Sequence, residues 1–209
     1  LPLTFKLEAV GDGALPFRFD RDAGARLGVM PRDGSNSDVV WYDIDPCYVF
    51  HPVNSHEEGD NLVLHVSRLE SAFAESADDY SASGCLWRWT IDPIAGTVKE
   101  EQLDDRAGDF GRIDDRLIGL PARYGYMMSL PDTRRDYVEY GETLYKYDLT
   151  TGQRWDHELG SGVKGGEPVF APAGPDAGED EGWVLCLVHD ENSGSSKFLV
   201  IDSQDFEAP

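Results

Sequence analysis

Apolar residues fall in short runs with a period near two, and turn residues interrupt them before a helical stripe can build up. In Leu62-Val63-Leu64-His65-Val66 and in Leu86-Trp87-Arg88-Trp89-Thr90-Ile91, the alternation reads as extended strands with two faces. Leu144-Tyr145-Lys146-Tyr147-Asp148-Leu149 repeats the second run's order of apolar, aromatic, basic and aromatic, and each of these two runs is followed by a turn closing at Gly96 or Gly152. A third run, Phe198-Leu199-Val200-Ile201-Asp202, sets Ile201-Asp202 against Tyr147-Asp148. The spacings are roughly 58 and then 54 residues, near the upper end of the propeller repeats of about 40 to 50. Such self-similarity predicts an all-β chain with blades of about four antiparallel strands; unrelated hairpins in a β-sandwich are the competing reading of the same periodicity. Loops are expected at Gly11–Ala14, Arg32–Ser37, Glu75–Gly84 and Ala171–Glu181. Apolar strands resume promptly after each, so residues 1–209 read as a single domain.

Composition narrows the function classes. The 209 residues (23.2 kDa) are 40% hydrophobic and 11% aromatic, a globular composition. With 40 acidic against 18 basic residues the formal charge is −22. No basic patch exists to displace counterions from a phosphate backbone, which excludes nucleic acid as a partner. The acidic bias fits a high-salt cytoplasm or a GC-rich genome equally well. Cys47, Cys85 and Cys186 are odd in number and lack C-x-x-C spacing, so they suggest neither a disulfide framework nor a zinc knuckle, and a reducing cytoplasm fits best. No apolar run approaches about 18 residues. The acidic run Asp176–Glu181 lacks the ligand spacing of an EF-hand and reads as a solvated loop.

Three segments carry candidate chemistry: Phe50-His51-Pro52-Val53-Asn54-Ser55-His56-Glu57-Glu58, Asp109-Phe110-Gly111-Arg112-Ile113, and Gly165-Gly166-Glu167-Pro168-Val169-Phe170 leading into Gly182-Trp183-Val184-Leu185. The first resembles the Phe-His-x-x-Asn-Ala-x-Glu signature of the carotenoid cleavage oxygenases, and the other two follow in that family's order. The resemblance covers nearly the whole chain. It implies about three blades of a seven-bladed β-propeller, truncated at both ends, with further ligand histidines upstream and downstream of these residues.

By resemblance the protein is a non-haem ferrous dioxygenase, using Fe(2+) and O2 to cleave a C=C bond of a carotenoid, apocarotenoid or stilbene-type substrate into two carbonyls. His51 matches one of four iron-ligand histidines. Glu167 matches one of the glutamates that orient ligand imidazoles, and Asp109 falls where another usually sits. Asp109 is one methylene shorter than that glutamate, so a direct hydrogen bond to an imidazole is expected to need backbone movement or a bridging water. Gly111 replaces the family's usual proline, and Ser55 its alanine. A cytoplasmic protein with peripheral membrane contact is implied, with Ala14-Leu15-Pro16-Phe17 a weak candidate for an apolar entrance lip. A catalytically inactive propeller serving as a binding or scaffold module is the alternative from another class.

Without the resemblance His51 reads as structural. His56 is expected on the opposite side of the strand from His51, His65 on a strand face, His157 exposed, and His189 at the end of a strand with no ligand role. Asp104-Asp105 and Asp114-Asp115 read as turns and solvated faces, with Arg112 and Arg116 as surface partners. No Ser-His-Asp ordering, P-loop, GxGxxG-helix unit or H-E-x-x-H occurs.

Overall fold

The computed structural model describes residues 1–10, 16–73, 84–131 and 139–208. Its regular structure is almost entirely antiparallel β. Two hairpins come first, β1 (Leu3–Phe5) with β2 (Phe17–Phe19), and β3 (Ala25–Val29) with β4 (Val40–Ile44). A four-stranded meander follows: β5 (Pro52–Glu58), β6 (Asn61–Arg68), β7 (Cys85–Asp92) and β8 (Thr97–Gln102). A second meander repeats it with β9 (Gly108–Arg112), β10 (Tyr124–Ser129), β11 (Thr143–Asp148) and β12 (Arg154–Glu158). In the third sheet β13 (Val163–Gly165) and β14 (Val169–Pro172) pair with the two ends of one edge of β15 (Gly182–Asp190), and β16 (Ser195–Asp202) pairs along the other. β13 and β14 thus form one strand, interrupted at Gly166-Glu167-Pro168, where proline has no N–H for the ladder.

The three periodic runs lie in β7, β11 and β16, the third position of three successive sheets, as the repeat predicts for propeller blades. Their shared turn has a local cause. Asp92 Oδ1 accepts from the backbone N–H of Ile94 and Ala95, and Asp148 Oδ1 accepts from Thr150 and Thr151. Each turn closes with a glycine at positive φ, Gly96 at 71° and Gly152 at 76°, whose N–H returns to the aspartate carbonyl.

Alternate residues of the middle sheet serve two different cores. Met127, Tyr145 and Tyr147 pack with Val53 and Leu86 from the first meander. Their neighbours Tyr126, Met128 and Leu144 pack with Phe170, Val184, Cys186, Val188 and Ile201 from the third sheet. Burial on both faces explains why β10 and β11 are inaccessible at nearly every position, where a one-sided sheet would alternate. It also accounts for the lysine in the repeat. Lys146 is buried between sheets, its Nζ donating to Asp180 and to the Ser203 carbonyl while the rings of Tyr124 and Trp155 lie alongside.

Several polar residues expected at the surface are instead built into the seams between sheets. Asp114 is buried against Arg116, and Asp104 accepts from Tyr147 Oη and Arg154. In the Asp176–Glu181 loop, Asp180 holds Lys146, while Glu179 accepts the backbone N–H groups of Arg123 and Tyr124. Glu179 and Asp180 therefore brace neighbouring sheets, while Asp176 and Glu181 are exposed as a solvated loop requires. His157, expected to be exposed, is buried because the turn after β16 folds over β12 and brings the Phe206 carbonyl 2.8 Å from Nδ1.

Candidate metal centre

His51 lies in the residue before β5, held by paired backbone hydrogen bonds between Tyr48 and Leu69 and by Ser67 N–H donating to the His51 carbonyl. Asp109, on the first strand of the next sheet, places Oδ2 3.2 Å from His51 Nδ1. Its other oxygen accepts from Phe110 N–H at 2.8 Å. Burial pushes the Asp109 carboxyl up from its ordinary range, opposed by the Phe110 N–H and by the His51 ring. In the tautomer that carries its proton on Nδ1, the ring donates to this carboxylate and keeps its lone pair on Nε2. The His51 side chain is 47% exposed while that of Asp109 is 5% exposed, so the ring offers its outer nitrogen from a fixed base.

Two bulges produce this contact. In β5 the register shifts between Pro52 and Asn54, leaving Val53 as an extra residue; in β9, Phe110 and Gly111 together oppose Met127. Phe110 takes up the second bulge at φ 59°, a left-handed conformation costly for a bulky side chain. Asp109 precedes one bulge as His51 precedes the other. The shorter carboxylate reaches an imidazole directly. The imidazole it reaches is that of His51 itself.

Glu167 sits in the break between β13 and β14, half exposed, and accepts from Arg112 Nη1 at 2.8 Å; the same guanidinium holds Asp115. Arg112 follows Asp109 on β9, so the His51–Asp109 and Arg112–Glu167 contacts join the first strands of three consecutive sheets. Asn54, part of the His51 motif, clamps the loop after β9: Nδ2 donates to the Leu120 carbonyl and Oδ1 accepts Gly119 N–H. Its place in the motif was the only sequence signal of that role. His56 stacks on the buried His65 with ring centroids 6.2 Å apart, and His189 lies beside Ser196 Oγ. Among the described residues no three His, Cys, Asp or Glu side chains are grouped to share a metal ion.

An aromatic series passes through the site. Tyr48, Phe50 and Phe73 meet pairwise at 4.6–5.9 Å; Phe50 neighbours the His51 ring at 6.3 Å, Phe110 lies 4.9 Å from it on, and Tyr140 lies 5.2 Å from Phe110. Phe73 and Phe110 are the two non-glycine residues at positive φ among those described. The Phe73 carbonyl accepts Phe19 N–H, tying the β1–β2 hairpin to the series. Of the expected entrance lip, Ala14 and Leu15 lie outside the described residues, and Phe17 is exposed, edge-on to Phe5 at 6.0 Å.

Comparison with known proteins decides the family. A sequence model described as retinal pigment epithelial membrane protein matches residues 1–209. The chain belongs to this family, the carotenoid cleavage oxygenases. A carotenoid cleavage oxygenase of Mycobacterium tuberculosis is 35% identical over 202 residues, 93% of this chain and 40% of the relative. The apocarotenoid-15,15'-oxygenase of Synechocystis is 29% identical, covering 100% of this chain and 43% of the relative. Among solved structures, cobalt-substituted Synechocystis ACO superposes with a TM-score of 0.81 at 28% identity, over 93% of this chain and 41% of that one. Pseudomonas brassicacearum lignostilbene dioxygenase gives 0.85 at 25% identity, over 98% and 46%. The fold is thus part of a carotenoid-oxygenase β-propeller, and the chain spans about two fifths of the length of the curated relatives it matches.

Proposed function

We propose that the protein containing this chain is a ferrous dioxygenase that splits a C=C bond of an apolar conjugated substrate, a carotenoid, apocarotenoid or stilbene-type compound. The observation that carries this reading is the contact of His51 Nδ1 with a buried carboxylate, which leaves an accessible Nε2. A solved relative with cobalt substituted supports a metal centre in the family, and the carotenoid, apocarotenoid and lignostilbene enzymes among the relatives support the substrate class.

His51 would hold the ion through Nε2, together with imidazoles from other parts of the protein. Asp109 accepts the Nδ1 proton and fixes the ring's tautomer and orientation. Glu167, steadied by Arg112, orients a further ligand imidazole. Bound ferrous iron supplies activation of dioxygen. The rings of Phe50, Phe73, Phe110 and Tyr140 hold the flat conjugated chain beside His51 and exclude water. Both atoms of one O2 end in the two carbonyl products, so the reaction needs no further reductant.

The decisive experiment uses the full-length protein with ferrous iron, an apocarotenoid and a hydroxystilbene. Cleavage with 18O from labelled dioxygen in both carbonyls, abolished in His51→Ala and little changed in His56→Ala, is the expected result. An iron-free protein that binds such compounds without cleaving them would establish the non-catalytic propeller module instead. For the membrane contact, support comes from the exposed apolar residues Leu1, Phe5, Leu7, Val10 and Phe17 around the first hairpin. Co-sedimentation with neutral liposomes, lost in Phe5→Ser/Phe17→Ser, is expected of a cytoplasmic protein that takes its substrate from a bilayer; identical sedimentation of both proteins would remove that contact from the reading.

A further inference from the structure

The bulges of β5 and β9 meet at Val53 and Gly111. A Cβ on Gly111 would lie 2.4 Å from Val53 Cγ2, 3.2 Å from its Cβ and 3.4 Å from its Cα. Gly111 is not among the glycines at positive φ, so space, and not dihedral freedom, calls for glycine there. Non-bonded carbons settle at about 3.5–4.0 Å. A side chain at 111 must therefore turn Val53 Cγ2 aside by on the order of 1 Å or part β9 from β5, and its contacts with Val53 Cβ and Cα press on the strand as well.

The His51–Asp109 contact cannot absorb such a push. At 3.2 Å it already lies at the long end of hydrogen-bond distances, and by about 3.6 Å no hydrogen bond remains. Val53 is two residues beyond His51 and Gly111 two beyond Asp109, so both contacts are made by the same two segments. The aspartate side chain is short and has no spare reach. We infer that Gly111 is a positioning residue: lacking a Cβ, it lets β9 close on the Val53 bulge and so keeps Asp109 in direct contact with His51.

The contact itself does not depend on the metal; only its catalytic consequence rests on His51 being a ligand. It is read in full-length, metal-free protein labelled with 15N-histidine, by the imidazole tautomer of His51, assigned by difference from His51→Gln. The wild-type ring is expected as the Nδ1–H tautomer. Gly111→Ala shifts it toward Nε2–H and weakens ferrous affinity about 10-fold or more, the scale for losing a ligand's outer partner. Val53→Ala/Gly111→Ala, which removes the Cγ2 clash, restores both. A folded Gly111→Ala protein with the wild-type tautomer overturns the inference. If that variant does not fold, the double variant decides: retention of Nδ1–H supports the inference and its loss overturns it. A tautomer that follows this pattern in a protein that binds no iron would leave Gly111's role intact and refute the ligand role of His51.

Discussion

Burial makes a negative charge at Asp109 costly, and the Phe110 N–H and the His51 ring offset part of that cost. Asp109→Asn keeps the shape and removes the charge. The full-length variant is expected to unfold at the wild-type temperature or above it, yet to release ferrous iron to a chelator with an affinity about 10- to 100-fold lower. Unchanged retention would make Asp109 structural. Glu167→Gln breaks a half-exposed pair with Arg112, so denaturant unfolding should change by less than about 1 kcal/mol; a larger loss would assign Glu167 to the fold. His51, Asp109 and Glu167 were singled out from short motifs. The pairing of Asp109 with His51 was not, because a bulge adds one residue to a strand and leaves no mark in composition or hydropathy. Asp114 and Asp180 were misread for a similar reason: a charged pair in a seam and a solvated turn have the same local sequence.

At the scale of the strand, period-two patterns located the repeat because its third strand ends in a turn with defined chemistry, Asp at the start and Gly at positive φ. Strand β6 carries His65, paired with Arg88 on β7 and stacked by His56 from β5. Burial first, then the charges of His56 and Arg88, lower its pKa from 6.5 to about 4. The folded state therefore keeps His65 neutral while the unfolded chain protonates below pH 6.5, so stability is full above that value and declines as the pH falls toward 4. His65 should contribute about 3 kcal/mol to that decline. In His65→Leu, urea midpoints measured from pH 7 to 4 should fall less steeply than in the wild type; parallel curves would show that His65 is protonated at no cost in the fold. Nothing in Leu62–Val66 alone distinguishes a buried histidine from one on an open strand face, since the sheet that covers it is distant in sequence.

Across the molecule, the last sheet has one face in the core and one open. Trp183, Leu187, Phe198 and Val200 project from the open face, and the β15–β16 register sets Leu187 opposite Phe198 and Leu185 opposite Val200. The 209-residue chain on its own is expected to bind an apolar fluorescent dye at this face, to hold ferrous iron weakly and to show no turnover. Tight one-to-one iron binding by the chain alone would contradict the sharing of the centre with other residues. The all-β class was readable from local patterns, but which faces are covered depends on how successive sheets stack.

The double-sided burial of β10 and β11 also sets an order on biosynthesis. Residues up to Glu158 complete the middle sheet's hydrogen bonding, yet Tyr126, Met128 and Leu144 still await Phe170, Val184, Val188 and Ile201. As the chain emerges from the ribosome, each finished sheet presents a greasy surface until roughly one more repeat, on the order of fifty residues, has been added. A stall in translation between these sheets would hold the nascent chain in its stickiest form, where chaperone capture competes with aggregation.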